Sequence, residues 1–309
     1  MQQAPLYHEL AESPAEGLAF WFRSDDGVRL RAGYWNGGNK GTVILLPGRT
    51  EYIEKYGRSA HDLTQMGYAT LIIDWRGQGL ADRLTDDPMV GHVGRFSDYQ
   101  RDLIAALKLA QEIGAPEPYF MLAHSMGGCI GLRALHTGQS FKAAVFSAPM
   151  WGIKLSPTLR PFAWVSSVLG TAIGLGTRRA PQTSPDPYVL TDPFEDNTLT
   201  SDEDMWNYMK RQTQEIAGVG LGGPSLLWLR EALIETRALQ KMGAAVTPAH
   251  TFLGTNERIV ATEPIHSILA GWTNGQLSIV DGAEHEVVME RPHIRRDFWA
   301  KTDELFSHV

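Results

Sequence analysis

A serine between very small residues, Ser125, stands where an apolar run meets a glycine-rich run. Residues 119–124 predict a strand and the residues from Met126 onward predict a helix. At a sharp strand-to-helix turn the serine backbone is strained, and only small residues fit two positions away, as Ala123 and Gly127 do. The first N–H groups of the helix favour negative charge beside the serine. The pattern predicts that Ser125 is a nucleophile that attacks a carbonyl carbon.

A serine hydroxyl needs a base, and His285 is the best placed of the ten histidines. It follows the strand-like run 277–280, which would bring it to the carboxyl edge of a sheet. The acid that orients it is expected to be Glu257, in a glycine turn after the preceding strand, since the chain order is then serine, acid, histidine. A solvated surface pair between Glu257 and Arg258 is the alternative. His124 is expected to be a packing or hydrogen-bonding group of the turn.

The negative charge on an attacked carbonyl oxygen needs N–H donors, an oxyanion hole. The apolar run 43–46 ends in Pro47 and Gly48, and a glycine lets the backbone approach a ligand closely. The backbone N–H groups of Arg49 and Met126 are therefore expected to converge on one oxygen. An ordinary strand-to-turn connection is the alternative, because Pro-Gly pairs occur in turns of every kind.

The elements that must position these residues alternate between strands and helices. A strand at 142–147 after the serine's helix completes the strand–helix–strand context that separates a nucleophile turn from a chance motif. A helix is predicted from Ser97, as its cap, to Ile113. The eight strand-like runs are 18–23, 28–35, 42–46, 69–73, 119–123, 142–147, 249–253 and 276–280. This order predicts an α/β fold with a mostly parallel, doubly wound sheet and an antiparallel first hairpin.

Residues 151–223 interrupt this alternation and predict a helical cap (lid) inserted between core segments 1–150 and 224–309. Residues 161–177 carry no charge but are too short and too glycine-rich to span a membrane, which takes ~20 apolar residues. We expect the cap residues Trp151, Phe162 and Trp164 to contact substrate, and the cap to make transient contact with a membrane surface. Packing of the same residues onto the core is the alternative.

Several motifs make the chain similar to one known family, the α/β-hydrolases of the monoacylglycerol lipase and bacterial lysophospholipase group. They are Pro47-Gly48 with Glu51 and Tyr56, Asp74–Gly79, Asn197–Asp202, Gly254–Val260 and Gly282–Glu286. The resemblance implies an α/β-hydrolase fold and a serine carboxylic ester hydrolase that acts through an acyl-enzyme on a small-molecule or lipid ester, without a cofactor. The chain departs from the family pattern at Ala123 for glycine, Pro47 for histidine and Glu257 for aspartate.

Composition limits the partners, cofactors and cellular location that are expected for the protein. The net charge is −7 and no basic run is present, which argues against a nucleic-acid partner. The single cysteine, Cys129, excludes an internal disulfide and is expected to be a buried small apolar residue. No phosphate-binding loop or metal-ligand cluster is apparent. The first residues lack a leader pattern, so a cytoplasmic location is expected.

Two other functions stay open at the level of sequence. One is hydrolysis of small soluble esters, thioesters or amides by the same three residues, which a polar pocket would favour. The other is a non-catalytic binding protein that uses this fold, in which we expect a catalytic residue to be missing or the pocket blocked. The chain retains serine, acid and histidine in order, which favours an enzyme.

Overall fold

One mixed sheet organises the chain in the computed structural model, which describes residues 2–156 and 158–309. Its strands are β1 (Gln2–Gln3), β2 (Leu18–Arg23), β3 (Arg29–Trp35), β4 (Thr42–Leu46), β5 (Ala69–Asp74), β6 (Tyr119–His124), β7 (Ala144–Ser147), β8 (Ala249–Gly254) and β9 (Gly275–Val280). Within the described residues the spatial order is β1-β2-β3-β5-β4-β6-β7-β8-β9. The pairs from β1 to β5 are antiparallel, and the pairs from β5 through β4 to β9 are parallel.

The mostly parallel α/β sheet and the antiparallel hairpin β2–β3 confirm the sequence prediction, with nine strands in place of eight. The additional strand is β1, in which Gln2 pairs with Trp21 of β2. Two consecutive polar residues show no apolar alternation, so no pattern in the sequence indicates this strand. It is remote in the sheet order from β6, which ends at the predicted nucleophile.

Helices cover both faces of the sheet because its central strands are apolar on both sides. Ile44 and Leu46 of β4 pack into one core, and Val43 and Leu45 into the other. The helices are α1 (His8–Ala11), α2 (Gly57–Gln65), α3 (Asp98–Glu112), α4 (Met126–His136), α5 (Leu159–Ala172), α6 (Tyr188–Thr191), α7 (Glu203–Glu215), α8 (Leu226–Met242), α9 (Thr262–Ala270) and α10 (Pro292–Ser307). Helices α3, α4, α8 and α9 contribute to the first core, and α2, α7 and α10 to the second.

The expected start of helix α3 needs a correction. Ser97 was expected to cap it, but its side chain makes no capping hydrogen bond and its backbone is already helical. The carboxylate of Asp98 instead accepts the N–H of Arg95 at 3.0 Å. The predicted inward face is present, since Leu103, Ala106 and Ala110 are fully buried.

Between β7 and α8 the chain leaves the sheet for residues 151–223. In its described part this segment contains α5, α6 and α7 and no strand of the sheet. Helix α5 packs on α8, whereas α7 packs beside α1 and the 3-10 helix Ile53–Tyr56. The Tyr208 hydroxyl of α7 lies 2.7 Å from the carbonyl oxygen of Ala11 and 2.9 Å from that of Glu54. Helix α5 and helix α7 therefore tie the segment to the core at two places.

Candidate active site

Ser125 occupies a sharp turn between β6 and α4. Its backbone has φ 49° and ψ −115°, a conformation that a residue with a side chain adopts only under strain. The small neighbours are required by close contacts, because a Cβ on Gly127 would lie 2.0 Å from the carbonyl oxygen of Leu46. Ala123 is fully buried and fits where the family pattern has glycine. The turn therefore presents the serine hydroxyl at the carboxyl edge of the sheet, next to the end of β4.

Two hydrogen bonds connect Ser125, His285 and Glu257. The distance from Ser125 Oγ to His285 Nε2 is 2.9 Å, and that from His285 Nδ1 to Glu257 Oε2 is 2.6 Å. His285 and Glu257 are both buried. In a hydroxyl–imidazole–carboxylate chain of hydrogen bonds, the imidazole can take the hydroxyl proton and so make the oxygen a nucleophile.

The Glu257 carboxylate is held by its own loop as well as by His285. Its second oxygen, Oε1, accepts the N–H groups of Ile259 at 2.6 Å and Val260 at 2.9 Å. Burial acts to raise the pKa of Glu257, but the hydrogen bond and charge of His285 and the two N–H donors outweigh it, so the pKa lies below its ordinary value. Glu257 is therefore ionised at neutral pH. Arg258, the alternative partner, pairs with Asp196.

The loop after β4 lies against the start of helix α4, where Arg49 and Met126 were expected to supply N–H donors. The carbonyl of Pro47 accepts the indole N–H of Trp75 at 2.9 Å, and the carbonyl of Gly48 accepts the Gln78 amide at 3.0 Å. These bonds fix the loop that carries the Arg49 N–H. At the start of α4 the first N–H groups have no partner within the helix. The role of the two donors stays a prediction.

A cavity of about 280 Å³ has Ser125 and His285 in its wall. This volume is close to the lower end of the ~300–1,000 Å³ typical of small-molecule sites. Much of the wall is apolar and comes from α6, α7 and the loops of the 151–223 segment. These residues are Pro187, Tyr188, Val189, Thr198, Leu199, Met209, Thr213, Gly220 and Leu221.

Comparisons with known proteins agree with this geometry. The sequence profile of the family described as "Serine aminopeptidase, S33" matches residues 37–292. Lysophospholipase L2 of Escherichia coli strain K12 is 32% identical over 290 residues, which cover 87% of this chain and 79% of that protein. The chain belongs to this hydrolase family. A probable lysophospholipase L2 of Haemophilus influenzae is 28% identical over 263 residues, covering 82% of this chain and 80% of that protein.

The fold of this family member also matches solved structures. A soluble variant of the monoglyceride lipase of Saccharomyces cerevisiae, in complex with a substrate analog, superposes with a TM-score of 0.73. That structure is 18% identical in sequence, and the match covers 94% of this chain and 95% of the other. At this level of identity the likeness shows the fold, an α/β-hydrolase core.

The cap residues predicted to contact substrate lie elsewhere, and this expectation is corrected. Trp151 is fully buried, and its indole N–H donates to the Gly128 carbonyl at 3.1 Å. Trp164 lies under the guanidinium of Arg237, 4.2 Å from its ring centre, in a different cavity. Phe162 is 51% exposed on α5. The alternative of packing onto the core thus holds for Trp151, because large aromatic side chains fill buried space wherever the backbone leaves it.

A buried ionic network beside the hydrolase site was not predicted from the sequence. Lys55 Nζ lies 2.7 Å from Glu51 Oε1 and 2.7 Å from Glu286 Oε1, and all three side chains are at least 93% buried. Glu51 also accepts hydrogen bonds from the Gly48 N–H and, at 2.6 Å, from the Tyr56 hydroxyl. The network thus joins the loop after β4 to the residue that follows His285.

The pKa values of the two glutamates of the network shift in opposite directions. Burial opposes ionisation of both, but Lys55 and the hydrogen bond from Tyr56 lower the pKa of Glu51 to about 2. Burial raises the pKa of Glu286 above its ordinary value although Lys55 lowers it, and its Oε2 has no hydrogen-bond partner among the described residues. By residue type Glu51, His124 and Glu286 resemble a metal site, but the Lys55 ammonium already lies between the carboxylates.

Two features of the sequence hint at this network. Glu51 and Lys55 are four residues apart, which is the spacing of a helical ion pair. Glu286 directly follows the predicted base.

His124 lies beside the network as expected of a structural group. Its Nδ1–H donates to the Ser147 carbonyl at 3.0 Å, and burial lowers its pKa to about 3.

Proposed function

We propose that the protein is a lysophospholipase that hydrolyses the ester of single-chain glycerolipids, with monoacylglycerols as a second substrate of the same site. The single observation that carries the chemistry is the pair of hydrogen bonds from Ser125 to His285 and from His285 to Glu257, beside a cavity with Ser125 and His285 in its wall. Relatives named lysophospholipase L2 and a structural neighbour named monoglyceride lipase support the substrate class.

In the proposed reaction Ser125 Oγ attacks the ester carbonyl carbon while His285 Nε2 takes the hydroxyl proton. Glu257, ionised and hydrogen-bonded to Nδ1–H, stabilises the resulting imidazolium. The N–H groups of Arg49 and Met126 donate to the oxyanion. The carbon–oxygen bond of the leaving alcohol breaks, and His285 returns the proton to that alcohol. Water, deprotonated by His285, then attacks the acyl-enzyme and releases the fatty acid and Ser125.

The shape of the site supports a substrate with one polar and one apolar end. Glu51, Lys55 and Glu286 form a polar part of the cavity wall, and Val189, Leu199, Met209, Leu221 and Ile259 form an apolar part. A glycerol headgroup matches the first and an acyl chain the second. We propose on this basis that residues 151–223 act as a cap over an acyl-binding site.

The exposed face of α5 supports transient contact with a lipid surface. Phe162, Val165, Leu169 and Ile173 are each more than half exposed, and Arg160 lies near one end of the stripe. Among the described residues no helix is long and apolar enough to cross a bilayer. Apolar residues beside a cation favour surface binding to anionic lipids. Loss of vesicle binding in Leu169→Glu, measured by sedimentation against wild type, would support this contact, and unchanged binding would contradict it.

A cytoplasmic location stays a prediction that cell fractionation tests.

A series of p-nitrophenyl esters from acetate to palmitate tests the proposed function. We expect turnover by wild type with a preference for medium or long acyl chains, no turnover by Ser125→Ala, and a loss of about 10³–10⁴-fold in kcat for Glu257→Gln. A preference for acetate would favour the alternative of small soluble esters. Turnover of thioesters or anilides alone would favour the thioesterase or amidase alternative. Absence of any hydrolysis by folded wild type would favour a binding protein.

A further inference from the structure

The side chain of Arg49 has no role in the proposed reaction, which uses only its backbone N–H. Arg49 forms part of the cavity wall that contains Ser125. Its Nη1 donates to the carbonyl of Gly222 at 2.9 Å. Gly222 follows Leu221, which belongs to the same cavity wall. The guanidinium also lies 5.7 Å from the ring centre of Trp228, within the range of a cation–π contact. The cation is thus anchored beside the cavity by one carbonyl and one aromatic ring.

Arg49 has no carboxylate partner among the residues that the structure describes. The glutamates in the cavity wall, Glu51 and Glu286, both bind Lys55 instead. Loss of hydration without a compensating anion lowers the pKa of Arg49 to about 10, so the guanidinium is still charged at neutral pH. A charged group in this position favours an anion that enters the cavity.

Two buried arginines of the chain, Arg31 and Arg76, show how this fold satisfies a fully buried positive charge. Arg31 is fully buried and binds Asp74 and Glu54, each at 2.7 Å. Arg76 binds Asp102 and Asp26, also at 2.7 Å. Paired burial is expected, because an uncompensated charge in the interior is strongly unfavourable. Arg49 is only partly buried and lines the cavity without a carboxylate partner among the described residues, so its guanidinium is open to an anion that enters the cavity.

We propose that the Arg49 guanidinium binds the phosphate of a single-chain glycerophospholipid and so selects lysophospholipids over monoacylglycerols. Its backbone N–H belongs to the proposed oxyanion hole, so the guanidinium extends from the point where the ester carbonyl binds. In a lysophospholipid a short glycerol chain separates the phosphate from that carbonyl. This spacer is similar in length to the arginine side chain between its backbone N–H and its guanidinium. A guanidinium offers several N–H donors in a planar fork that matches phosphate oxygens. The inference rests on the proposed function and names the substrate that the site prefers.

The test compares two lipids that share one acyl chain, lauroyl lysophosphatidylethanolamine and monolauroylglycerol. For Arg49→Met, which keeps the backbone N–H, we expect the ratio of kcat/KM for the phospholipid to that for the neutral lipid to fall by at least about tenfold, mainly through KM. Arg49→Lys keeps the positive charge but loses the planar fork of donors. We expect its ratio of the two kcat/KM values to lie between those of wild type and Arg49→Met. Arg296→Met is the matched control, because Arg296 is exposed on α10 and outside the cavity wall.

A second measurement needs no lipid. Glycerol phosphate is expected to inhibit hydrolysis of p-nitrophenyl laurate by wild type more strongly than glycerol does, and this difference should disappear in Arg49→Met. An equal fall of both lipid activities, with glycerol phosphate and glycerol equally weak in wild type, would overturn the inference and leave the proposed function intact. Hydrolysis of p-nitrophenyl laurate but of neither lipid by wild type would instead contradict the proposed function.

Discussion

The carboxylate of Glu51 accepts a hydrogen bond from the backbone N–H of Gly48, three residues earlier in the chain. Gly48 directly precedes Arg49, whose N–H is the proposed oxyanion donor. The motif that the sequence resembles has a histidine where this chain has Pro47. Glu51 thus stabilises a loop that lacks a histidine side chain, and Lys55 connects this carboxylate to Glu286, the residue after the proposed base His285.

Replacement of Glu51 by glutamine should lower kcat more than it changes KM. The amide offers one acceptor oxygen where the carboxylate offers two, so the bonds from Gly48, Tyr56 and Lys55 are not all retained. We expect kcat for p-nitrophenyl laurate to fall about tenfold, less than the ~10²–10³ lost with an oxyanion donor itself. Glu112→Gln, at an exposed glutamate on α3, is the control. Unchanged kcat in a folded Glu51→Gln protein would show that the loop needs no such brace.

Replacement of Lys55 by methionine should destabilise the protein strongly. The substitution leaves two buried glutamates without their shared cation, which typically costs about 3–5 kcal/mol. The free energy of unfolding from urea titration measures the effect, with the exposed Lys108→Met as a control expected within about 0.5 kcal/mol of wild type. The double variant Lys55→Met/Glu286→Gln should recover part of the loss. A loss below 1 kcal/mol in the single variant would mean that the network contributes as little as a surface pair.

The stabilising contribution of Glu257 should depend on pH. Its pKa in the folded protein lies below the ordinary value of 4.5, so the unfolded chain takes up the proton first as pH falls. The contribution is therefore fully present above about pH 4.5 and is lost as pH drops through the folded pKa. We expect the difference in unfolding free energy between wild type and Glu257→Gln to shrink from pH 7 to pH 3. A difference that grows on acidification would contradict the assigned charge state.

Cys129 should be inert in the folded protein. It is fully buried on α4, one turn after Ser125, and burial raises the pKa of its thiol well above the ordinary value. We expect iodoacetamide at pH 8 to leave activity unchanged, and modification to appear only with unfolding in urea. Mass spectrometry of the tryptic peptide measures this directly, with Cys129→Ala as the control. Rapid alkylation under native conditions would show that α4 opens to solvent.

The parts of the fold that follow from local pattern were predictable from the sequence. Parallel strands covered by helices on both faces are largely continuous apolar runs, and β4 through β7 are visible as such. The turn at Ser125 is likewise local, because its strain and its need for small residues act within a few positions. The hydrogen bonds to His285 and Glu257 join residues that the sequence nominated, although their catalytic roles remain a prediction.

The features of the site that were not predicted from the sequence depend on contacts between distant parts of the chain. Lys55 and Glu286 are 231 positions apart, and only the assembled sheet brings them together. The cap aromatics were assigned to the site by composition, but the path of the backbone decides which side chains reach a cavity, and it buries Trp151 behind Gly128. A cavity wall built from Val189, Leu199 and Leu221 has no periodic signal, because these residues belong to loops and a one-turn helix.

Trapping the acyl-enzyme tests the central claim most directly. Wild type would be mixed with p-nitrophenyl laurate, quenched in acid within the first turnovers, and digested for mass spectrometry. We predict a lauroyl adduct on the peptide that contains Ser125, an initial burst of p-nitrophenol, and neither in Ser125→Ala. Turnover by wild type without an adduct, or with the adduct on another residue, would contradict the account.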